Sequence, residues 1–247
     1  MDIMTILGLI IGIGAVFGGY VGEGGDPVWV LLHPFAWIIV FGGALGCGLI
    51  GLPMAHGKHV LKTTPKLFVP PKLNPGEMID KMVDWAQIAR REGLLGLEGV
   101  SETEDNPFAR KGLRMLFDGR EPEAIRKILE IELETVETLD VAASKFYGEL
   151  GGYAPTIGII GAVLALIVVM GDLSDPNAVG KGIATAFCAT VYALLLANLI
   201  FLPWGNKLKI IAQEEAQFRF MIVEGLVLIA SGENPRNLED QLRSYAT

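Results

Sequence analysis

Hydrophobic and polar positions divide this chain into blocks. Apolar runs occupy residues 3–21, 35–55, 153–170 and 183–203, each close to the ~20 residues a helix needs to cross a bilayer. A spanning segment must satisfy its backbone internally, so all four runs read as helices. The last two are joined by the polar turn GDLSDPNAVGKG and form a hairpin. Between the second and third runs lies a long segment with helical periodicity. Met78, Met82, Trp85 and Ala89 mark one helix. Phe108, Leu113, Leu116 and Phe117 mark a shorter one ending near Asp118-Gly119. Pro122 suits a first helical position. Behind it, Ile125, Ile128, Leu129, Val136, Leu139 and Ala143 make one face of a long helix that runs straight into the third span, and Glu130, Glu132, Glu134, Glu137 and Asp140 make its polar face. After the fourth span a further helix covers 204–230 and stops near Ser231-Gly232, before a polar tail.

The fold class expected is an all-α integral membrane protein of four transmembrane helices, with a large helical cytoplasmic insertion between spans two and three. Its blocks are 1–55 (spans one and two), 56–150 (the insertion), 151–203 (spans three and four) and 204–247 (a C-terminal helix and tail). The first run has no basic leader and no small-residue cleavage pattern, so it reads as a retained span. Gly8 and Gly12, and likewise Gly14, Gly18 and Gly22, stand four apart, a spacing for close helix packing within the subunit. Trp29 and Trp37 flank the outer end of the second run, where interfacial aromatics sit, with His33 just outside it and Pro53 at its inner end.

Composition agrees. Hydrophobic residues make up 51% of the chain and mean hydropathy is +0.44, which excludes an ordinary soluble domain. Net charge is −8, so no nucleic-acid partner is expected. Of 20 Lys and Arg, 14 fall in 56–150; Lys58, Lys62, Lys66 and Lys72 follow the second span, and Lys207 and Lys209 follow the fourth. The two outer loops hold only Lys181. The positive-inside rule then places the insertion and both termini in the cytoplasm. Cys47 and Cys188 lie inside apolar runs as packing residues, with neither a disulfide framework nor metal spacing.

The chain does not read as an enzyme. Gly180-Lys181 lacks the flanking residues of a P-loop, and no HExxH or nucleophile elbow is present. No cofactor is implied. The hairpin carries Gly158, Gly161, Ala162 and Ala165, the hydroxyls of Thr156, Thr185 and Thr190, Tyr192 and Asn198, and a proline at each inner end, Pro155 and Pro203. It looks like one wall of a polar path. Yet none of the four runs holds an Asp, Glu, Lys or Arg, and only His56 stands at an edge. Proton relay at membrane depth needs an ionisable group. Either the chain is a scaffold, or another chain supplies the carboxylate. Arg90, Arg91 and Glu98 form a charged patch that is either solvated surface or a docking site.

Three stretches, WAQIARREGLLGLEGV, GYAPTIGIIGAVLALI and ATAFCATVYALLLANLIFLPWGNKLK, resemble the MotA/TolQ/ExbB proton-channel family, in particular its flagellar-motor stator members. The resemblance runs over residues 1–240. It implies a homopentamer around two copies of a MotB-type single-span, peptidoglycan-anchored partner that carries the proton-binding aspartate. It also implies contact with the flagellar rotor switch protein in the bacterial inner membrane. By the same resemblance Pro155 and Pro203 are the coupling prolines, and Arg90, Arg91 and Glu98 engage the rotor. Thr190 and Thr185 belong to the ion pathway, Thr190 beside the partner's aspartate. Ala162 stands where sodium-driven relatives tend to carry Thr, so protons are the expected coupling ion and sodium the alternative. A TolQ/ExbB-like channel powering envelope processes is the other functional reading; those proteins have three spans.

Overall fold

The computed structural model describes residues 2–31, 33–171 and 173–245, with the backbone alone for Trp29 and Leu31, so the Trp29 expectation lies outside what is described. Among the described residues every regular element is a helix. In chain order they are α1 (Ile3–Gly22), α2 (Pro27–Leu31), α3 (Pro34–Trp37), α4 (Gly43–Gly51), α5 (Met54–Thr63), α6 (Pro75–Glu92), α7 (Glu98–Thr103), α8 (Pro107–Phe117), α9 (Pro122–Met170), α10 (Pro176–Leu195), α11 (Leu202–Ala230) and α12 (Pro235–Arg243). A π turn at Ile38–Gly42 joins α3 to α4, and another at Leu196–Phe201 joins α10 to α11. Among the described residues four helical stretches are long and apolar enough to cross a membrane: Ile3–Gly22, Pro34–Gly51, Pro122–Met170 and Pro176–Ala230.

Helix starts follow one recurring device. Asn74-Pro75, Asn106-Pro107, Asp175-Pro176 and Asn234-Pro235 each place an acceptor side chain at the cap and a proline in the first turn. The side chain satisfies an orphan amide, and proline has no amide to orphan. Gly93, Gly119 and Gly232, all at positive φ, stop α6, α8 and α11.

Two expected helix bounds are corrected. The second apolar run is not one helix through residue 55: Leu52 is pushed to an extended backbone (φ −99°, ψ 114°) by the proline after it, and α5 restarts at Met54. The polar tail is partly α12, whose Leu238 and Leu242, one turn apart, are fully buried.

The chain divides into two compact units, Met1–Pro70 with Leu139–Ile210, and Pro71–Thr138 with Ile211–Thr247. The first is built on close helix approach. A Cβ on Gly43 would stand 2.6 Å from Ile157, and one on Gly48 2.5 Å from Leu150. One on Gly205 would stand 2.9 Å from the Gly148 nitrogen and 3.0 Å from the Ser144 carbonyl. Helix α1 behaves otherwise. None of its residues is buried, and of its glycines only Gly12 meets another side chain, Leu199; Gly8, Gly14, Gly18 and Gly22 face open space. The expected packing of this stripe within the subunit is therefore absent; α1 touches the π turn at Leu196–Phe201 through Gly12 and is anchored by polar contacts at its first turn. There Asp2 caps the helix and receives the Lys207 ammonium, which also donates to Thr5 and to the Leu67 carbonyl at 2.7 Å. The ammonium holds the Asp2 carboxyl below the usual carboxylate range.

Asp140, read as part of a polar face, is instead 2% exposed. His59 Nε2 lies 2.6 Å from its Oδ1, Lys66 Nζ 3.5 Å from its Oδ2, and Thr63 also donates to it. A buried carboxylate needs such partners.

In the second unit α6, α8, α12 and parts of α9 and α11 enclose Met82, Trp85, Leu97, Leu113, Leu129, Leu226 and neighbours. The Arg126 guanidinium forks onto both oxygens of Glu224 and reaches Glu130 at 3.5 Å; the Glu224 carboxylate raises its pKa further. Glu104, 6% exposed, receives Lys81 at 3.3 Å and the Asn106 amide at 2.9 Å.

Candidate functional site

The hairpin of α9 and α10 is a crossing of two glycine- and alanine-lined faces. Gly158 lies directly on Ala193, with the Ala189 carbonyl 3.3 Å from where its Cβ would be; a Cβ on Gly161 would lie 3.4 Å from that of Ala189. This contact sets Thr190 beside Gly158, its Cα 3.7 Å from that same Cβ position, and leaves Thr190 and Ala162 half-buried. Thr185 is placed elsewhere. It lines a cleft of about 550 Å³ with Phe35, Ile39, Leu164, Val168 and Lys181, and neither Ala162 nor Thr190 lines that cleft. The three residues are therefore not gathered into one pocket.

Each hydroxyl donates to its own helix: Thr156 to the Tyr153 carbonyl at 2.8 Å, Thr185 to Lys181 at 2.9 Å and Thr190 to Ala186 at 3.3 Å. Such back-bonding is the ordinary use of threonine in an apolar helix. It commits the proton and leaves oxygen lone pairs, the polarity that accepts a proton or ligates a cation. Asn198 likewise donates to Leu194 at 2.9 Å. Tyr192, counted with the polar wall, is turned inward: it is 1% exposed, stacks on Trp37 with ring centroids 4.5 Å apart, and donates to the Val30 carbonyl. Its hydroxyl serves packing because Trp37 and the residue 30 carbonyl cover it. Trp37 is thereby a core partner as much as an interfacial one.

Pro155 lies inside unbroken α9, and Pro203 is the second residue of α11, just after a π turn. A proline amide cannot donate; the wider π turn before Pro203 accommodates that loss. One close contact links the two proline sites. Leu202, next to Pro203, packs on Gly151, whose carbonyl is the one a residue-155 amide would normally bond.

In the other unit Arg90 and Arg91 end α6 and Glu98 begins α7, all exposed. Basic residues at a helix C-terminus and an acid at an N-terminus suit the helix dipoles. Among the described residues none of the three has an ion-pair partner. The sequence placed Lys207 only among the charges after span four and Asp140 only on a polar face, because their actual partners lie far away in the chain.

Comparison with known proteins accounts for nearly every residue. The family model "MotA/TolQ/ExbB proton channel family" matches residues 100–220 and "Motility protein A N-terminal" matches 6–93. Motility protein A of Helicobacter pylori is 36% identical over 246 residues, 99% of this chain and 95% of that one. The chain belongs to the MotA/TolQ/ExbB proton channel family. Among solved structures, C. jejuni MotAB superposes with a TM-score of 0.94 at 34% identity, covering 100% of this chain and 96% of that one. The flagellar MotAB stator complex from Bacillus subtilis gives 0.91 at 32%, with the same coverage. Members of this family are ion-channel subunits and not enzymes. The apolar helices and the MotAB likeness together make the chain a multi-pass membrane protein.

Proposed function

We propose that the chain is a stator subunit of the bacterial flagellar motor, which with a MotB-type partner forms a proton channel and turns ion flow into torque. One observation carries this: a chain whose full length resembles MotAB stators has four apolar runs, 3–21, 35–55, 153–170 and 183–203, with no Asp, Glu, Lys, Arg or His inside them. A proton-relaying group must then come from the partner, whose membrane carboxylate stands against Thr190 and the neighbouring turn of Ala162. In this reading five copies surround two partner helices in the inner membrane. The basic residues after spans two and four hold the segment between spans two and three, and both termini, in the cytoplasm. Arg90, Arg91 and Glu98 contact the rotor switch protein.

Protonation removes the partner's charge and its demand for polar contacts. The threonine oxygens and small side chains beside it then favour a different helix position, and the hairpin relaxes at Pro155 and Pro203. Release of the proton to the cytoplasm restores the charge and resets the cycle.

The test is conduction. Vesicles carrying the chain alone are expected to hold a proton gradient, and vesicles carrying it with its single-span partner to dissipate one. A proton leak through the chain by itself overturns the reading. A second expectation concerns the ion. Ala162 offers no oxygen, and a desolvated sodium ion needs several. Swimming should persist in sodium-free medium and stop on addition of a protonophore; speed that tracks external sodium contradicts it.

A further inference from the structure

Helices α6 and α11 end side by side, stopped by Gly93 and Gly232, both at positive φ. Between their last turns lies a hollow of about 240 Å³, lined by Ala86, Ala89, Leu94, Ile229 and Ala230, with Arg90 and Glu233 also bordering it. The space exists because three of those walls are single methyl groups. Ala86 and Ile229 are buried, at 2% and 3% exposure, which gives the hollow a dry floor. The next residue along, Leu95, is 70% exposed, so aliphatic surface continues beyond the hollow.

The charges around it are not equivalent. Glu233 is held within its own segment by the Asn234 amide at 3.1 Å and Asn237 Nδ2 at 2.9 Å, which keep its carboxyl below the usual range. Glu92 folds toward Gly96, its Oε2 3.1 Å from where a Cβ there would lie. Arg90 has no carboxylate partner among the described residues. The hollow therefore offers apolar walls and one uncommitted cation.

We propose that this hollow is an apolar socket in the rotor contact: it takes one aliphatic or aromatic side chain from a rotor helix that carries a carboxylate three or four residues away, facing Arg90. The proposal rests on the docking reading above and adds the anchor to it. Residues three or four apart share a helix face, so one helix can fill the socket and pair with the arginine at once. Desolvated pockets at the centre of an interface carry most of its affinity, while the charges set orientation and encounter.

The test uses the chain assembled with its single-span partner and measures binding to the rotor switch protein across a salt series. Ala89→Leu and Ala230→Leu fill the socket without changing charge. They are expected to weaken binding about tenfold and to leave its salt dependence unaltered. Arg90→Gln should weaken binding and flatten the salt dependence, since exposed charges are screened and apolar contacts are not. If Arg90→Gln weakens binding but both leucine variants bind like the parent, the socket is wrong and the docking reading stands. If all three bind like the parent, the docking reading fails and the socket with it. Complex yield and melting temperature are read alongside. Should neither leucine variant assemble, Leu94→Ala, which removes a wall, decides: weakened binding in an intact complex supports the socket, and unchanged binding overturns it.

Discussion

Gly205→Leu is expected to abolish accumulation of the folded, assembled chain, and Gly205→Ala to lower its stability measurably. At this position α11 crosses α9 backbone to backbone. An added Cβ would stand 2.9 Å from the Gly148 nitrogen and 3.0 Å from the Ser144 carbonyl. Neither is the end of a flexible side chain, so relief requires the helices to separate. Separation also strains the hydrogen bond from Ser144 Oγ to the Gly205 carbonyl, 2.9 Å long and buried. For alanine, overpacking costs ~1–3 kcal/mol and loss of that bond ~1 kcal/mol; replacing glycine in a helix returns ~1 kcal/mol. The net is a loss. Leucine adds three more carbons to the same clash with no space to receive them. Gly152→Ala is the control, since nothing lies within 4 Å of a Cβ there; it should be neutral or stabilise by ~0.5–1 kcal/mol. The measurement is yield of complex and melting temperature after detergent extraction. Wild-type yield from Gly205→Leu would show that the crossing is looser than these contacts imply.

What could be read from the sequence, and what could not, follows from the range over which each feature is determined. The apolar runs and the long α9 were legible because periodicity and run length are local. The hairpin's small residues stood out for the same reason but were read as the wall of a polar path, whereas Gly158 and Gly161 pack on Ala193 and Ala189 of the facing helix. Asp140 was not: by period it falls with Glu130 and Glu137, and its burial is decided by His59, 81 positions away. The inward turn of Tyr192 depends on Trp37 and on the residue 30 carbonyl in another helix. Helix α12 was missed because only Leu238 and Leu242 of its nine residues are buried, too few for a periodic signal. Its Asn-Pro start was nonetheless written in the chain, as were two other Asn-Pro starts and the Asp175-Pro176 start of α10. The glycine stripe of α1 shows the opposite error. The spacing was real, but spacing alone does not say whether the partner helix belongs to the same chain.

Pro155→Ala and Pro203→Ala are expected to leave the chain folded, assembled and bound to its partner, and to cost most of the torque. Each proline removes one helical hydrogen bond and its ring crowds the carbonyl a turn back, together costing ~3 kcal/mol in an ordinary helix interior, and in an apolar surrounding the freed carbonyl has no water to turn to. Alanine restores the amide, so melting temperature should stay level or rise. At Pro203 the restored donor also favours closing the π turn at Leu196–Phe201 into α-helix, a change in helix register that solution circular dichroism barely sees and that a second structure would reveal. The two proline sites are linked by the Leu202–Gly151 contact. A bend at one is therefore transmitted to the other, and stiffening either should suppress the same motion. Because the two substitutions act on one device, their effects on torque should not add: the double variant should be about as slow as the worse single variant. Swimming speed at high load, measured beside complex yield, separates coupling from assembly. Normal swimming of both single variants under load would mean that the prolines only shape the helices, and independent, additive losses would mean that the two breaks do not move together.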